Sequence, residues 1–393
     1  MFGRKPKALV GLDIGSSSIK LVELKKKSAD YELVGVAMEN LGQDAVVDGA
    51  IMDGNAAASA IERIFAGQKT KSRDVAMAVS GHSVIVKRIS VPAAAEEELY
   101  NVVAYEAQQH IPFDLQDVSL SYHVFGRNQA GNATDVVLVA AKKETIRNHT
   151  NVATQAGATP VVMDIDAFAL QNAYELNYRP EPDHTSALLN IGASMMNINI
   201  VRGGVPLFTR DVTVGGNQYT NTLQKELDLS FDDAEELKMG KASTPEQSEA
   251  LSQHLRTVSE ILLLEIQKTF DFFRQTAPAE TIHDIYIAGG TARTEGLKGL
   301  LGTEFDIPVE IMDPFRKVTV DPHRFDPAFI AEVAPRMSVA VGLALRSFDS
   351  ALSKSTFYKK EAFKRPGLSL RRRVFRRRAM RLFSSPASSL CVL

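Results

Sequence analysis

The chain has 393 residues, 45% hydrophobic and 23% charged, with a formal net charge of −2. That is the profile of a globular protein with more than one core, and the single cysteine, Cys391, excludes an internal disulfide or a cysteine-built zinc site. Charge is divided unevenly: residues 353–393 hold 12 Lys and Arg against one acid, Glu361, so an acidic body carries a basic tail.

The amino terminus, MFGRKPKALVG, runs straight into a strand pattern and does not read as a signal peptide. Strand-like runs follow in KALVGLDIG, IKLVELKK and YELVGVAMENL, then a helix around 53–66 and a strand over 75–81. From residue 82 the order is strand, helix (AAAEEELYNVVAYEAQQHI), two strands about an NQAGNAT turn, a helix stopped by Gly157, and the strand TPVVMDID. This β-α-β-β-α-β order over 82–163 reads as an α+β unit inserted into a larger domain.

Residues 186–201, SALLNIGASMMNINIV, repeat the pattern of residues 8–24, ALVGLDIGSSSIKLVEL, with an offset of 177 between Asn190 and Asp13. Beyond them come further strand, a helix capped by Ser230, and a long helix after Pro245. That helix buries Leu251, Leu255, Val258, Leu262, Ile266, Phe270 and Phe273 on one side. DIYIAGGTARTEGLKGLL reads as strand, Gly-Gly turn, helix, and VAPRMSVAVGLALRSFD as a small-residue helix closing the body. Apolar runs such as 337–345 fall short of the ~18 residues of a membrane span. The eight histidines show no metal-ligand spacing. Two alternating β/α halves, each opened by a strand–Ile-Gly–strand hairpin, imply a duplicated architecture with a cleft between.

In GLDIGSSSIK, Gly15 is expected at positive φ, turning the N–H groups of Gly15, Ser16, Ser17 and Ser18 toward one phosphate-sized spot, with Lys20 adding charge. Asp13 at the strand end is suited to Mg²⁺ held through water. Two such hairpins facing each other make a clamp for a nucleotide's phosphates. Gly289 and Gly290 let a backbone approach a flat base.

This ordered set resembles the actin-like ATPase superfamily, and the inserted unit, with AVSGHSVIVKRISVP and EAQQHIPFDLQDV, resembles the PilM family of type IV pilus assembly proteins. The resemblance implies an α/β, actin-like ATPase (ribonuclease H-like duplicated) fold. Its first half would be 1–81 with 164–185 and 337–350, and its inserted α+β module 82–163. The second half would be 186–215 with 283–336, the helical subdomain 216–282, and the tail 351–393. It further implies ATP and Mg²⁺ as ligands, with Asp13 and Asp166 at the metal or attacking water. Gly192, Ala193 and Ser194 would lie near the outer phosphates, Glu235 and Lys238 at ribose and base, and Gly289, Gly290 and Thr291 at the adenosine. Ala340 and Gly342 would let the halves pack closely and hinge. Asn190 stands where active ATPases usually carry Asp. That removes one negative charge from a site that works by charge balance around Mg²⁺, so binding with slow or no turnover is expected.

As partner, the resemblance implies the N-terminal cytoplasmic peptide of PilN, with Ile111, Phe113, Leu115, Leu120 and Tyr122 as candidate groove walls. Other proteins of the pilus inner-membrane platform are implied as well. In the tail, Leu368, Phe375, Ala379 and Leu382 share one helix face among Arg371–Arg373 and Arg376–Arg378, a pattern suited to an anionic membrane surface. No nucleic-acid partner is expected. The location implied is cytoplasmic, at the inner face of the inner membrane. The alternative reading is a small-molecule, sugar-type kinase of the same superfamily.

Overall fold

The computed structural model describes residues 9–348 apart from 29, 69, 71, 96, 128–130 and 241–244, together with 358 and 359. The basic tail expected over 351–393 therefore lies, but for two residues, outside the described residues. The chain opens with a meander of β1 (Val10–Ile14), β2 (Ser18–Lys27) and β3 (Asp30–Asn40), antiparallel with Asp13 opposite Lys20. A short ladder of β4 (Val46–Val47) and β5 (Ala50–Ile51) leads to α1 (Gly54–Ala66). Asp53 caps α1 by accepting from the backbone N–H groups of Asn55 and Ala56. Then β6 (Asp74–Val79) pairs parallel with β1.

The inserted unit follows: β7 (Val84–Pro92), α2 (Leu99–Ala107), β8 (Val118–Arg127), β9 (Ala133–Lys142) and α3 (Lys143–Gln155). Its sheet has the order β7-β9-β8. The two-residue period of β9 assigns its faces. Val136, Leu138 and Ala140 pack with Leu99, Val103 and Ala107 of α2, whereas Val137, Val139 and Ala141 pack with Ile61, Ile146 and Val152.

Next, β10 (Thr159–Ile165) departs from the sequence expectation. The pattern assigns it to the inserted unit, but it pairs parallel with β6, from Thr159 opposite Asp74 to Ile165 opposite Val79, and so belongs to the first half's sheet. The reason lies in its side chains. Pro160 through Ile165 are all buried, and a strand buried on both faces needs cover on both sides, which a parallel sheet between helices supplies. The helix α4 (Asp166–Tyr178) starts directly at its end.

The second half repeats the opening meander as β11 (Thr185–Ile191), β12 (Met196–Arg202) and β13 (Val205–Val212). Three helices follow: α5 (Gly216–Leu227), α6 (Phe231–Lys238) and α7 (Pro245–Thr276). Ser230 caps α6 as expected, accepting from the Asp233 N–H, and the seven apolar positions expected to line α7 are all buried. Then β14 (Asp284–Ala288) pairs parallel with β11, and α8 (Leu297–Phe305) leads to β15 (Val309–Ile311), giving the sheet order β13-β12-β11-β14-β15. Finally the chain returns to the first half. It adds β16 (Val318–Thr319) beside β3, then α9 (Pro327–Val333) and α10 (Ser338–Leu345), with β17 (Tyr358–Lys359) beside β10. The stretch Pro327–Leu345 is long and apolar enough to cross a membrane, contrary to the sequence expectation, yet two thirds of its most apolar window is buried inside the body. It serves there as core.

Helices α4 and α10 cross between the halves with almost nothing between their backbones. A Cβ added at Gly342 would lie 1.7 Å from the Ala169 carbonyl oxygen, and one at Gly11 of β1 would lie 2.0 Å from that of Ala340. The fully buried Asp164 carboxylate pairs with the Arg346 guanidinium and fixes the far end of α10 to β10.

Gly342→Ala is expected to destabilise the chain by roughly 1–3 kcal/mol or more, since backbone cannot yield as a side chain does. Gly299→Ala, in α8 with open space around its Cβ, is expected to gain about 0.5–1 kcal/mol. Urea midpoints of the two variants against the parent check both expectations.

Candidate functional site: the cleft between the paired hairpins

Each meander begins with a hairpin closed by one backbone bond. Gly15 N–H donates to the Ser18 carbonyl at 3.1 Å, and Gly192 N–H to the Met195 carbonyl at 2.8 Å. Neither glycine has a positive φ, which corrects the expectation for Gly15. Its N–H is also spent on closing the turn, so it does not join a phosphate nest. Glycine suits these positions by room instead: a Cβ on Gly15 would lie 2.5 Å from Lys20 Nζ, and one on Gly192 would lie 2.9 Å from the Met195 carbonyl oxygen. The two tips meet, with Ser16 Oγ 2.5 Å from Ser194 Oγ. Ser17 is exposed beside them, while Ser18 is buried at the start of β2.

Behind the tips the hairpins carry different chemistry at matched positions. In the first, Asp13 faces Lys20 across the ladder and forms an ion pair at 3.2 Å, both side chains largely buried. In the second, Asn190 faces Asn197, and the Asn190 amide donates to Asn197 Oδ1 at 2.9 Å. The charge pair of one half is an amide pair in the other. Asn197 in turn donates to Asp211 Oδ1 of β13 at 2.8 Å, and Gly81 N–H, from the first half, donates to Asp211 Oδ2 at 2.6 Å.

Asp166 occupies the first turn of α4, at the floor of the cleft. Burial and the Asp13 carboxylate push its pKa up to about 7, with Asp211 adding to the rise, while a Ser80 hydrogen bond and Lys20 oppose it. Burial likewise raises the Asp211 carboxyl, against hydrogen bonds from Asn197 and Gly81. Asp166, Asp211, Ser80, Thr209 and Arg210 line a cavity of about 30 Å³, room for one water. Among the described residues no group of three His, Cys, Asp or Glu is arranged to hold a metal directly.

On the opposite wall, α5 is pinned to the second hairpin: Gly216 N–H donates to the Gly192 carbonyl at 2.9 Å and Asn217 N–H to the Ala193 carbonyl at 2.8 Å. Thr291 Oγ1 donates to the same Gly192 carbonyl at 2.9 Å. Gly289 has φ of +87°, and a Cβ there would strike the Ile191 carbonyl oxygen at 2.3 Å. Its close approach is thus to the hairpin, and glycine relieves both the conformation and the contact. Gly290 faces the Arg336 side chain instead. Lys238 is buried and donates to Glu235 and to Thr220 Oγ1 at 2.9 Å. Burial lowers its pKa, Arg336 lowers it further, and Glu235 opposes both.

The structure thus gathers Asp13, Gly15, Ser16, Ser17, Ser18, Lys20 and Asp166 on one side. It gathers Asn190, Gly192, Ala193, Ser194, Gly289, Gly290, Thr291, Glu235 and Lys238 on the other. Sequence reasoning missed Ser80, Asn197, Asp211, Gly216, Thr220 and Arg336. The Gly215-Gly216 pair after a strand is a signal of close backbone approach that was available; a Cβ on Gly216 would lie 2.5 Å from Thr291 Oγ1. The candidate peptide walls stand apart on the inserted unit. Ile111 is only 6% exposed and belongs to that unit's core, which removes it as a surface wall. Phe113, Leu115, Leu120 and Tyr122 are half-buried against the same core, with Lys142 Nζ 4.3 Å from the Phe113 ring and Tyr100 exposed beside Tyr122.

A family model described as type IV pilus assembly protein PilM matches residues 11–348. A solved PilM-PilN type IV pilus biogenesis complex contains a chain 28% identical to this one, with TM-score 0.77, covering 88% of this chain and 99% of that one. Cell division protein FtsA of Streptococcus pneumoniae serotype 2 (strain D39 / NCTC 7466) is 22% identical over 346 residues, 77% of this chain and 75% of its own length. MreB5 of Spiroplasma citri, solved bound to AMPPNP, shares the fold at 14% identity and TM-score 0.50, covering 87% of this chain and 96% of its own.

The raised Asp166 pKa fixes a sign. Between about pH 4 and pH 7 the folded chain keeps a proton that the unfolded chain has released, so this group's contribution to stability falls as pH rises through that window. Asp166→Asn is expected to remove that part of the slope and to be the more stable protein at pH 8. Urea midpoints of both proteins at pH 5 and pH 8 measure it.

Proposed function

Since this chain belongs to the type IV pilus assembly protein PilM family, we propose that it is an actin-like scaffold that binds ATP with Mg²⁺ in the cleft and holds the N-terminal peptide of PilN on its inserted unit. The observation that carries the nucleotide reading is the meeting of the two hairpins at Ser16 and Ser194, over Asp13 and Asp166. A triphosphate would enter between those tips and replace the serine–serine contact with its own oxygens. Asp13, with Lys20 at its side, and Asp166 would hold the waters of Mg²⁺, and Thr291, Gly289 and Gly216 form the narrow wall toward the adenosine. The AMPPNP bound to Spiroplasma citri MreB5 supports the same use of the shared fold.

With Asn190 tied to Asn197 rather than carrying a charge, the site lacks a carboxylate on the second hairpin to orient an attacking water. Turnover is expected to be slow or absent, below about 1 s⁻¹. Calorimetric titration with Mg·ATP is expected to show one site, Ser194→Glu is expected to weaken it at least tenfold by like-charge repulsion, and phosphate release measures turnover. No heat from the parent chain would sink the reading.

The partner reading is supported by the PilM-PilN complex and by the half-buried apolar residues Leu120 and Tyr122 on the edge strand β8 with Phe113 and Leu115 just before it. On this reading the chain works in the cytoplasm, beneath the inner-membrane proteins of the pilus machine. Phe113→Glu is expected to abolish binding of a synthetic PilN N-terminal peptide and leave Mg·ATP binding unchanged. Loss of both together would instead report damage to the unit's core.

A further inference from the structure

The hydrogen bonds behind the second hairpin form a continuous line with a direction. Asn190 donates to Asn197, Asn197 donates to Asp211, and Asp211 accepts a second time from Gly81 N–H. Its beginning is on β11, at the edge of the cleft. Its end is the 3₁₀ turn Gly81–Ser83, directly before β7, where the chain leaves the first half for the inserted unit. The line therefore crosses from one half to the other.

Its direction is set by its lower end. A carboxylate accepts only, and both Asp211 oxygens receive an N–H. Asn197 must present its NH₂ to Asp211, which leaves its carbonyl oxygen facing Asn190. Residue 190 must then be a donor. An Asp at 190 would set oxygen against oxygen, and if the Asn197 amide turned round to satisfy it, the same conflict would appear at Asp211. The remaining Asn190 oxygen is also confined, because the position of a Cβ on Gly289 lies only 2.9 Å from it.

Packing locates the crossing at the same place. The Met195 methyl at the base of the second tip lies against the turns of Gly49 and Gly81, where an added Cβ would be 3.5 and 3.3 Å from its Cε. Gly81 thus receives the second half twice, through its N–H and through Met195.

We propose that Asn190, Asn197 and Asp211 form a polarised hydrogen-bond relay that fastens the second hairpin to the root of the inserted unit, and that residue 190 is Asn because the relay needs a donor there. Asn197 and Asp211 act as positioning residues. That the upper end of the relay lies beside a bound phosphate rests on the nucleotide reading above; the relay itself does not.

The test is a reversal of polarity, carried out on the full chain without nucleotide so that failure of ATP binding cannot be mistaken for failure of the relay. Amide exchange of peptides covering residues 80–84 reports protection at Gly81. Asn190→Asp alone sets oxygen against oxygen, and Asp211→Asn alone sets N–H against N–H unless the Asn197 and Asn190 amides both turn round, which would move the Asn190 NH₂ into the confined place of its oxygen beside Gly289; each is expected to speed exchange there by roughly tenfold. Together they reverse both side-chain bonds and keep the backbone one: Asn197 donates to Asp at 190, the new amide at 211 donates to Asn197, and its oxygen still accepts from Gly81. The double variant is expected to return exchange to within about threefold of the parent, a non-additivity that independent sites do not show. Single variants that exchange like the parent, or a double variant as fast as the worse single, overturn the proposal. A double variant that fails to fold when the singles fold does so equally.

Discussion

The crossing of α4 and α10 is the contact on which the two-half architecture rests. At Gly342 the helix backbone lies on the backbone of Ala169, and at Ala340 it lies on Gly11 of β1. Such approaches leave no room for a side chain, so the distance between the two sheets is set by main-chain atoms rather than by adaptable rotamers. From that fixed separation follows the meeting of the hairpin tips, because each hairpin is the first connection of a sheet whose position is already given. The buried Asp164–Arg346 pair holds the end of α10 in the same register. Burying both charges costs about what their attraction returns, whereas stripping one partner would leave a lone charge in the core.

Duplication of the hairpin has not meant duplication of its electrostatics. The first half keeps Asp13 and Lys20 as a pair, and the second keeps two amides at the equivalent rungs. Carboxylates gather on the floor instead, where Asp166 and Asp211 approach from opposite halves around a cavity of water size. Burial and the neighbouring carboxylates raise the Asp166 carboxyl there, whereas the paired amides of the second hairpin carry no charge.

Much of this was legible in the sequence, because strong periodicity and repeated turns survive translation into structure. The offset of 177 between the Ile-Gly turns reappears in the closing bonds, Gly15 to Ser18 and Gly192 to Met195. The one-sided spacing of Leu251 through Phe273 reappears as the buried face of α7. The strand 159–165 was misplaced because order along the chain does not reveal which sheet a buried strand enters. Positive φ at Gly15 failed for a related reason: a short turn can need glycine for room rather than for handedness. Asn197 and Asp211 were not legible as site residues, since polar groups alternating along a strand look like solvent-facing positions until their partners across the cleft are known. Ile111 illustrates the converse, an apolar residue read as surface that the inserted unit keeps for itself.

A joint made of main chain against main chain has a mechanical character of its own. Sliding is blocked, because displacement along either axis drives a carbonyl oxygen into a neighbouring Cα. Swivelling is opposed as well, since every residue of α10 from Ser338 to Leu345 is buried and Arg346 beyond it is paired to Asp164. What tolerance the joint has ends at Gly342 and Gly11, where a single added methyl group would have to push one peptide group off another.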